Sequence, residues 1–176
     1  MNDQVLHLLQ VQPDDRILEV GFGGGDLLTR MAKEIDEGLI TGIDFSSDII
    51  EIGKKRFQAL LDTGKLEIHH ADAGSLSFDA NSFNKVCTVN TIYFWPDVER
   101  VLQELLRVLH SKGLIIISLS TREAMDNIEI ITRHGFNKYG AEEVKQLLGS
   151  AGFINVRVIF GENNHGEFVC VVGEKF

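Results

Sequence analysis

The chain has no excess of positive charge. Acidic residues outnumber basic ones, 26 to 17, and the formal net charge is −9 over 176 residues. A surface of that sign does not track a phosphate backbone, so direct nucleic-acid binding is not expected as the main task. Long apolar runs are also missing. None approaches the ~20 residues of a membrane-spanning helix, so no membrane partner is expected. The opening residues, Met1-Asn2-Asp3-Gln4-Val5-Leu6-His7, have neither a basic start nor an apolar stretch. No secretory signal is predicted from them, and the expected location is cytoplasmic.

Cysteine is scarce. Cys87 and Cys170 are the only two, each inside an apolar, strand-like run. They read as buried free thiols of a reducing compartment, with a disulfide or a reactive thiol as alternatives. No Cys/His spacing fits a zinc site, and His69 and His70 alternate across a strand, so no metal is expected. Repeats, linkers and low-complexity tracts are lacking too. Residues 1–176 therefore read as a single domain, and 44% hydrophobic content is enough for a core.

What the chain does have is one distinctive stretch, Ile17-Leu18-Glu19-Val20-Gly21-Phe22-Gly23-Gly24-Gly25-Asp26-Leu27-Leu28. A short apolar run breaks into four glycines within five residues and resumes with helical periodicity. Strand, glycine turn and helix form the layout that brings a nucleotide-like ligand against exposed backbone at a helix N-terminus. Glycine serves there because the turn calls for positive φ and because a Cβ would block close approach of the ligand.

The remaining elements follow in alternation. Val5, Leu6, Leu8 and Leu9 suggest a first helix ending near Pro13, and Arg16 to Val20 a first strand. Leu27, Leu28, Met31, Ala32 and Ile35 share one helical face. Leu39 to Asp44 is a second strand, and a helix with N-cap candidates Ser46, Ser47 and Asp48 runs to about Asp62. Leu66 to His70 and Phe83 to Asn90 are the third and fourth strands. Pro96-Asp97 starts a periodic helix reaching Leu109, and Ser111-Lys112-Gly113 turns into the most apolar strand, Leu114 to Leu119. Residues 120 to 140 are irregular, with a helix at Ala141 to Ala151 after them. Ile154 to Phe160 and Glu167 to Val172 are joined by too few residues for a crossover helix, so they pair antiparallel. The prediction is an α/β, doubly wound, Rossmann-like sheet of seven mostly parallel strands with an antiparallel C-terminal hairpin.

The spacing within the turn is informative. A dinucleotide fingerprint wants a third glycine where this chain has Asp26. The pattern is instead Glu19, Gly21, Gly23, Gly25. In open α/β sheets ligands sit at the carboxyl ends of strands. Asp44 ends strand two, where a carboxylate can accept from a ribose diol, and Phe45 beside it can cover a flat base. Asp72-Ala73 follows strand three and Asn90 follows strand four, all at the same edge.

This set resembles the class I S-adenosylmethionine-dependent methyltransferases, in particular a small-molecule subgroup. The resemblance runs from Arg16 to Val172. Its motifs are Leu18 to Gly25, Gly42-Ile43-Asp44-Phe45-Ser46, His70-Ala71-Asp72-Ala73, Val89 to Asp97, Leu105-Leu106-Arg107-Val108-Leu109, and the terminal hairpin. It implies S-adenosylmethionine as cofactor and a small molecule as methyl acceptor. Gly21 and Gly23 would pass under the methionine part, with Phe22 and Gly25 completing the turn. Glu19 would hold the amine side, Asp44 the ribose hydroxyls, and Phe45 and Ile49 the faces of adenine. Asp72 and the Ala73 amide would read the adenine edge, and Asn90 and Thr91 would line the methionine end. Tyr93, Trp95, Arg122 and Phe136 are the candidate substrate contacts, and no obligatory catalytic residue is expected. His134, Arg133 and His165 read as surface groups, and Glu142-Glu143 as helix-start charge.

Two features depart from the family. Ser111-Lys112-Gly113 replaces the usual Pro-Gly-Gly turn, and only about a dozen residues precede strand one. Rival readings are an NAD-dependent oxidoreductase and a non-catalytic S-adenosylmethionine-binding or regulatory subunit. A homodimer is an open option for assembly.

Overall fold

The computed structural model describes residues 1–126, 137–164 and 166–176. Helix α1 (Asn2–Leu9) leads into β1 (Arg16–Val20), and the glycine turn leads into α2 (Asp26–Met31). Next come β2 (Leu39–Asp44), α3 (Ser47–Arg56), α4 (Gln58–Asp62), β3 (Leu66–His70) and β4 (Phe83–Val89). A 3₁₀ turn (Ile92–Phe94), α5 (Val98–Val108), β5 (Leu109–Ser120) and α6 (Arg122–Asp126) follow. The chain closes with α7 (Ala141–Ala151), β6 (Ile154–Asn163) and β7 (Gly166–Glu174). No described helix is long and apolar enough to cross a membrane.

One seven-stranded sheet has the order β3-β2-β1-β4-β5-β7-β6. Strands β1 to β5 pair in parallel, and β7 runs antiparallel to both β5 and β6. Alternation along the central strands separates two cores. Leu18, Val20, Val86, Ile115, Ile117, Val169 and Val171 face one way, with Leu102 and Leu105 of α5 and Val144 and Leu148 of α7. Ile17, Cys87, Ile116, Cys170 and Val172 face the other way, with Val5 and Leu9 of α1 and Leu27, Leu28 and Met31 of α2. Both cysteines are buried free thiols, as expected from their apolar surroundings in sequence. Helix α1 is fastened to α2 by Asn2 Nδ2, which donates to Asp26 at 2.8 Å, and by an ion pair between Asp3 and Arg30.

The boundaries differ from expectation in several places, among them α2, which stops at Met31 short of Ile35, and α6, which lies in the stretch expected to be irregular. The helix expected to run to Asp62 breaks at Phe57, whose φ of −104° and ψ of 16° separate α3 from α4. Its cap is Ser46, whose hydroxyl accepts from the Ile49 N–H at 3.4 Å. Leu109 belongs to β5 rather than to α5, and Lys112 (φ +63°) makes the irregular step before Leu114 pairs with Lys85. In the hairpin, pairing continues to Asn163 opposite Gly166. Asn90 lies beyond β4 in a left-handed conformation, φ +57°.

At the amino edge, Lys85 of β4 reaches across to the buried Asp15, which also accepts from the Gln12 N–H at 2.7 Å. Removing one member of a buried pair strands the other. Lys85→Met should therefore destabilise the fold by about 3 kcal/mol, and Asp15→Asn on top of it should recover part of that loss. Urea unfolding of the three proteins checks this.

Candidate functional site

The carboxyl edge of the sheet is built around the turn between β1 and α2. Gly21, Gly23 and Gly25 have φ of +69°, +49° and +70°, and this repeated left-handed backbone reverses the chain. The Gly21 N–H donates to the Ile43 carbonyl at 2.8 Å, so the turn starts by leaning on β2. Two of these glycines exclude a side chain because of the protein itself. A Cβ at Gly21 would overlap the Thr91 side chain, and one at Gly25 would overlap the Phe57 ring. A Cβ at Gly23 or at Gly24 would meet nothing within 4 Å, so there the chain leaves room above the turn, and of the two only Gly23 has a left-handed backbone. The Phe22 ring is buried under the turn and fills the space beside Gly42 and Gly53, so only its backbone faces the edge.

Asp44 ends β2 and grips the turn. Its Oδ2 accepts from the Gly23 N–H at 3.2 Å and its Oδ1 from the Ser46 N–H at 3.0 Å. Phe45 is 76% exposed, and Ile49 lies half-buried one turn into α3. The Phe45 carbonyl accepts from His70 Nε2 at 2.7 Å, which fixes the proton on that nitrogen. Asp72 follows β3 and is exposed. Its Oδ1 accepts from the Gly74 N–H at 2.9 Å.

Glu19 differs from these acids. It is 4% exposed, and its Oε2 is buried without a hydrogen-bond partner among the described residues. Burial, and secondarily the neighbouring Asp26 charge, push its pKa up to about 8. A buried carboxylate oxygen with no donor costs free energy unless something else supplies one.

Beyond β4, Thr88 Oγ1 donates to the Val20 carbonyl at 2.8 Å and contacts the Thr91 hydroxyl, whose side chain rests on Gly21. Asn90 Oδ1 lies 3.1 Å from the Tyr93 hydroxyl, and Asn90 Nδ2 lies 3.3 Å from Met1 Sδ. Tyr93 is 7% exposed, and burial lifts its pKa to about 12. The edge thus brings together Glu19, Gly21, Phe22, Gly23, Gly25, Asp44, Phe45, Ile49, Asp72, Ala73, Asn90 and Thr91. The candidate substrate contacts scatter. Trp95 is buried in the core beside α5 and α7, and Arg122 Nη2 is paired with Glu143 at 2.8 Å and the Lys138 carbonyl at 2.9 Å. Phe136, like Arg133, His134 and His165, lies outside the described residues. Among the described residues no group of His, Cys, Asp and Glu is arranged to hold a metal.

Several residues with a part in the edge carry no signal in sequence pattern. Arg56 Nη1 donates to the Gly24 carbonyl at 2.8 Å while its guanidinium lies over Phe57. Arg100 Nε donates to the Gly74 carbonyl at 2.7 Å, and Arg107 donates to the Leu76 and Phe78 carbonyls. Glu104 accepts from the Leu76 N–H at 2.8 Å, and its bond to Arg107 holds its carboxyl below the usual range. Helix α5 thereby fastens the loop that carries Asp72 and Ala73. Arg107 stands in a stretch already conspicuous in sequence, but spacing alone does not give its carbonyl partners.

Residues 17–113 match the family model described as a methyltransferase domain, more than half of the chain. The chain belongs to this methyltransferase family. The sheet order with antiparallel β7 is a Rossmann-like arrangement shared with solved methyltransferase structures. Among curated relatives, the demethylmenaquinone methyltransferase of Staphylococcus aureus (strain JH9) is 28% identical, covering 88% of this chain and 74% of its own. A SAM-dependent methyltransferase from Aquifex aeolicus superposes with a TM-score of 0.81 at 19% identity, over 99% of this chain and 89% of that one. The cyclase SpnF superposes with a TM-score of 0.83 at 16% identity, over 99% and 80%. At those identities the two structures share the fold alone.

The Glu19 environment makes a testable difference to stability. Its pKa in the folded chain exceeds the unfolded value of 4.5, so folding favours the neutral acid. That contribution is complete below pH 4.5, is lost as pH rises towards about 8, and changes no further above it. The loss is on the order of a few kcal/mol. Without cofactor, Glu19→Gln should hold its melting temperature between pH 5 and 9 better than the wild type. Parallel melting curves for the two would sink this account.

Proposed function

We propose that this chain, acting as one domain over residues 1–176 in the cytoplasm, transfers a methyl group from S-adenosylmethionine to a small-molecule acceptor. The observation that carries the cofactor half is the buried, donorless Oε2 of Glu19 beside an open glycine turn. An ammonium group would supply both the missing donor and the opposite charge. In this reading Glu19 faces the methionine amine and Gly21, Phe22, Gly23 and Gly25 give the backbone floor. Asp44, already oriented by two backbone donors, keeps lone pairs for ribose hydroxyls. Phe45 and Ile49 flank the adenine, Asp72 and the Ala73 amide meet its edge, and Asn90 and Thr91 line the methionine end. Arg122 and Phe136 remain the candidates for the acceptor side, whereas Trp95 is buried in the core and the Tyr93 hydroxyl is engaged by Asn90 and Ser120.

When bound, the cofactor supplies an electrophilic methyl on a sulfonium. The chain's part is alignment of the acceptor and exclusion of water. The small-molecule acceptor is supported by the chain's acidity, which opposes nucleic acid, and by the acceptor named in its Staphylococcus aureus relative.

Calorimetric titration should show S-adenosylmethionine binding and none of NAD; tight binding of NAD alone would overturn the reading. Gly23→Ala places its new methyl in the open space. It should leave melting within a few degrees, the strain of positive φ being about 1 kcal/mol, yet weaken S-adenosylmethionine at least tenfold. Transfer of labelled methyl across a metabolite panel separates an enzyme from a non-catalytic binder.

A further inference from the structure

The segment after β4 ends in a compact hydrogen-bonded knot. Asn90 holds φ +57°, a conformation that costs a residue with a Cβ and persists only where its surroundings enforce it. The Asn90 N–H donates to the Ser118 carbonyl at 2.8 Å. Its Oδ1 receives the Ser120 N–H at 3.2 Å and lies 3.1 Å from the Tyr93 hydroxyl. That hydroxyl accepts from the same Ser120 N–H at 2.6 Å and lies 3.1 Å from the Ser120 carbonyl. The phenol proton thus has two acceptors, Asn90 Oδ1 and the Ser120 carbonyl, and the phenol oxygen has a backbone donor. All are supplied by the chain. The next residue, Thr91, rests on Gly21 of the glycine turn.

We infer that Tyr93 is a positioning residue, whose hydroxyl clamps Asn90 to the end of β5 and so sets the wall that meets the amino-acid end of the cofactor. This rests on the cofactor reading above. It gives Tyr93 a different task from contacting the substrate or taking its proton. A hydroxyl already engaged with Asn90 and with both the N–H and carbonyl of Ser120 is poorly placed for either, and its raised pKa is consistent with a neutral phenol throughout the working range.

The test compares two probes, S-adenosylhomocysteine and methylthioadenosine, which share adenine, ribose and the thioether but differ in the amino-acid end. Wild-type chain must first bind S-adenosylhomocysteine; failure there overturns the cofactor reading, not the clamp. Tyr93→Phe keeps the ring in the core and removes only the hydroxyl. It should weaken S-adenosylhomocysteine about five- to tenfold, as expected for one net hydrogen bond, and leave methylthioadenosine unchanged. Asn90→Gly tolerates the left-handed backbone but has no acceptor for the phenol, and should give the same selective loss. Because the two side chains act as one unit, the double variant should be no weaker than the worse single variant. Equal loss for both probes, no loss for either, or additive losses would each overturn the clamp.

Discussion

The hydrogen bond from the Gly23 N–H to Asp44 is the tie on which the site depends, because it joins the turn after β1 to the end of β2. Similar ties continue along the edge in both directions. The Ala71 N–H donates to the Asp44 carbonyl, linking β3 to β2, and the Gly21 N–H donates to Ile43. Thr88 fastens β4 to β1 through the Val20 carbonyl, and Asn90 fastens it to β5 through Ser118. Five parallel strands therefore reach the carboxyl edge already stitched to one another. A parallel sheet covered on both faces leaves its loop backbone little freedom once these few donors are assigned. The left-handed glycines are what allow the turn to meet them.

Charge then selects the ligand. A helix start after a glycine turn is ordinarily an anion site, because unpaired N–H groups and the helix dipole converge there. Here Asp26 stands in the first turn of α2, its carboxyl held below the usual range chiefly by the Asn2 hydrogen bond. Glu19 lies buried beside it, without a donor on Oε2. The ionised Asp26 repels a pyrophosphate, and Glu19, held neutral by burial, gains most from a cation that can draw off its proton. The same feature that breaks the dinucleotide fingerprint in sequence thus has an electrostatic meaning, and it agrees with the proposed sulfonium cofactor.

Most of the fold is legible in the sequence because the apolar runs of the central strands and the periodicity of the longer helices are strong. Strands β1, β2 and β3 have the expected bounds, and the short connection from β6 to β7 forces their antiparallel pairing. Two of the differing boundaries share one cause. Lys112 and Asn90 each take a left-handed backbone tied by an N–H bond to a residue remote in sequence, Lys175 and Ser118, and no local pattern announces it. The same holds at the edge. Glycines and acids can be read by spacing, whereas Arg56, Arg100 and Arg107 act through backbone carbonyls that only the folded chain brings near. Glu19 could be placed from sequence at the end of a strand, but its lack of a donor could not.

The two halves of the reaction are encoded differently. The cofactor half lies on strand ends, where register fixes each residue to its neighbour, so similar sheets can be recognised at 16% or 19% identity. The acceptor half must be built from segments beyond the strands, such as those after β4 and β5, where side chains vary without disturbing the sheet. Methyl transfer tolerates this division. An activated methyl needs a lone pair aligned with it and a dry surrounding, and a proton acceptor only for nucleophiles that must lose a proton. With the Tyr93 hydroxyl engaged by its own chain, alignment is the contribution this edge is built to make. In the proposed reading, specificity for the acceptor rests on the shape of the wall beside the cofactor.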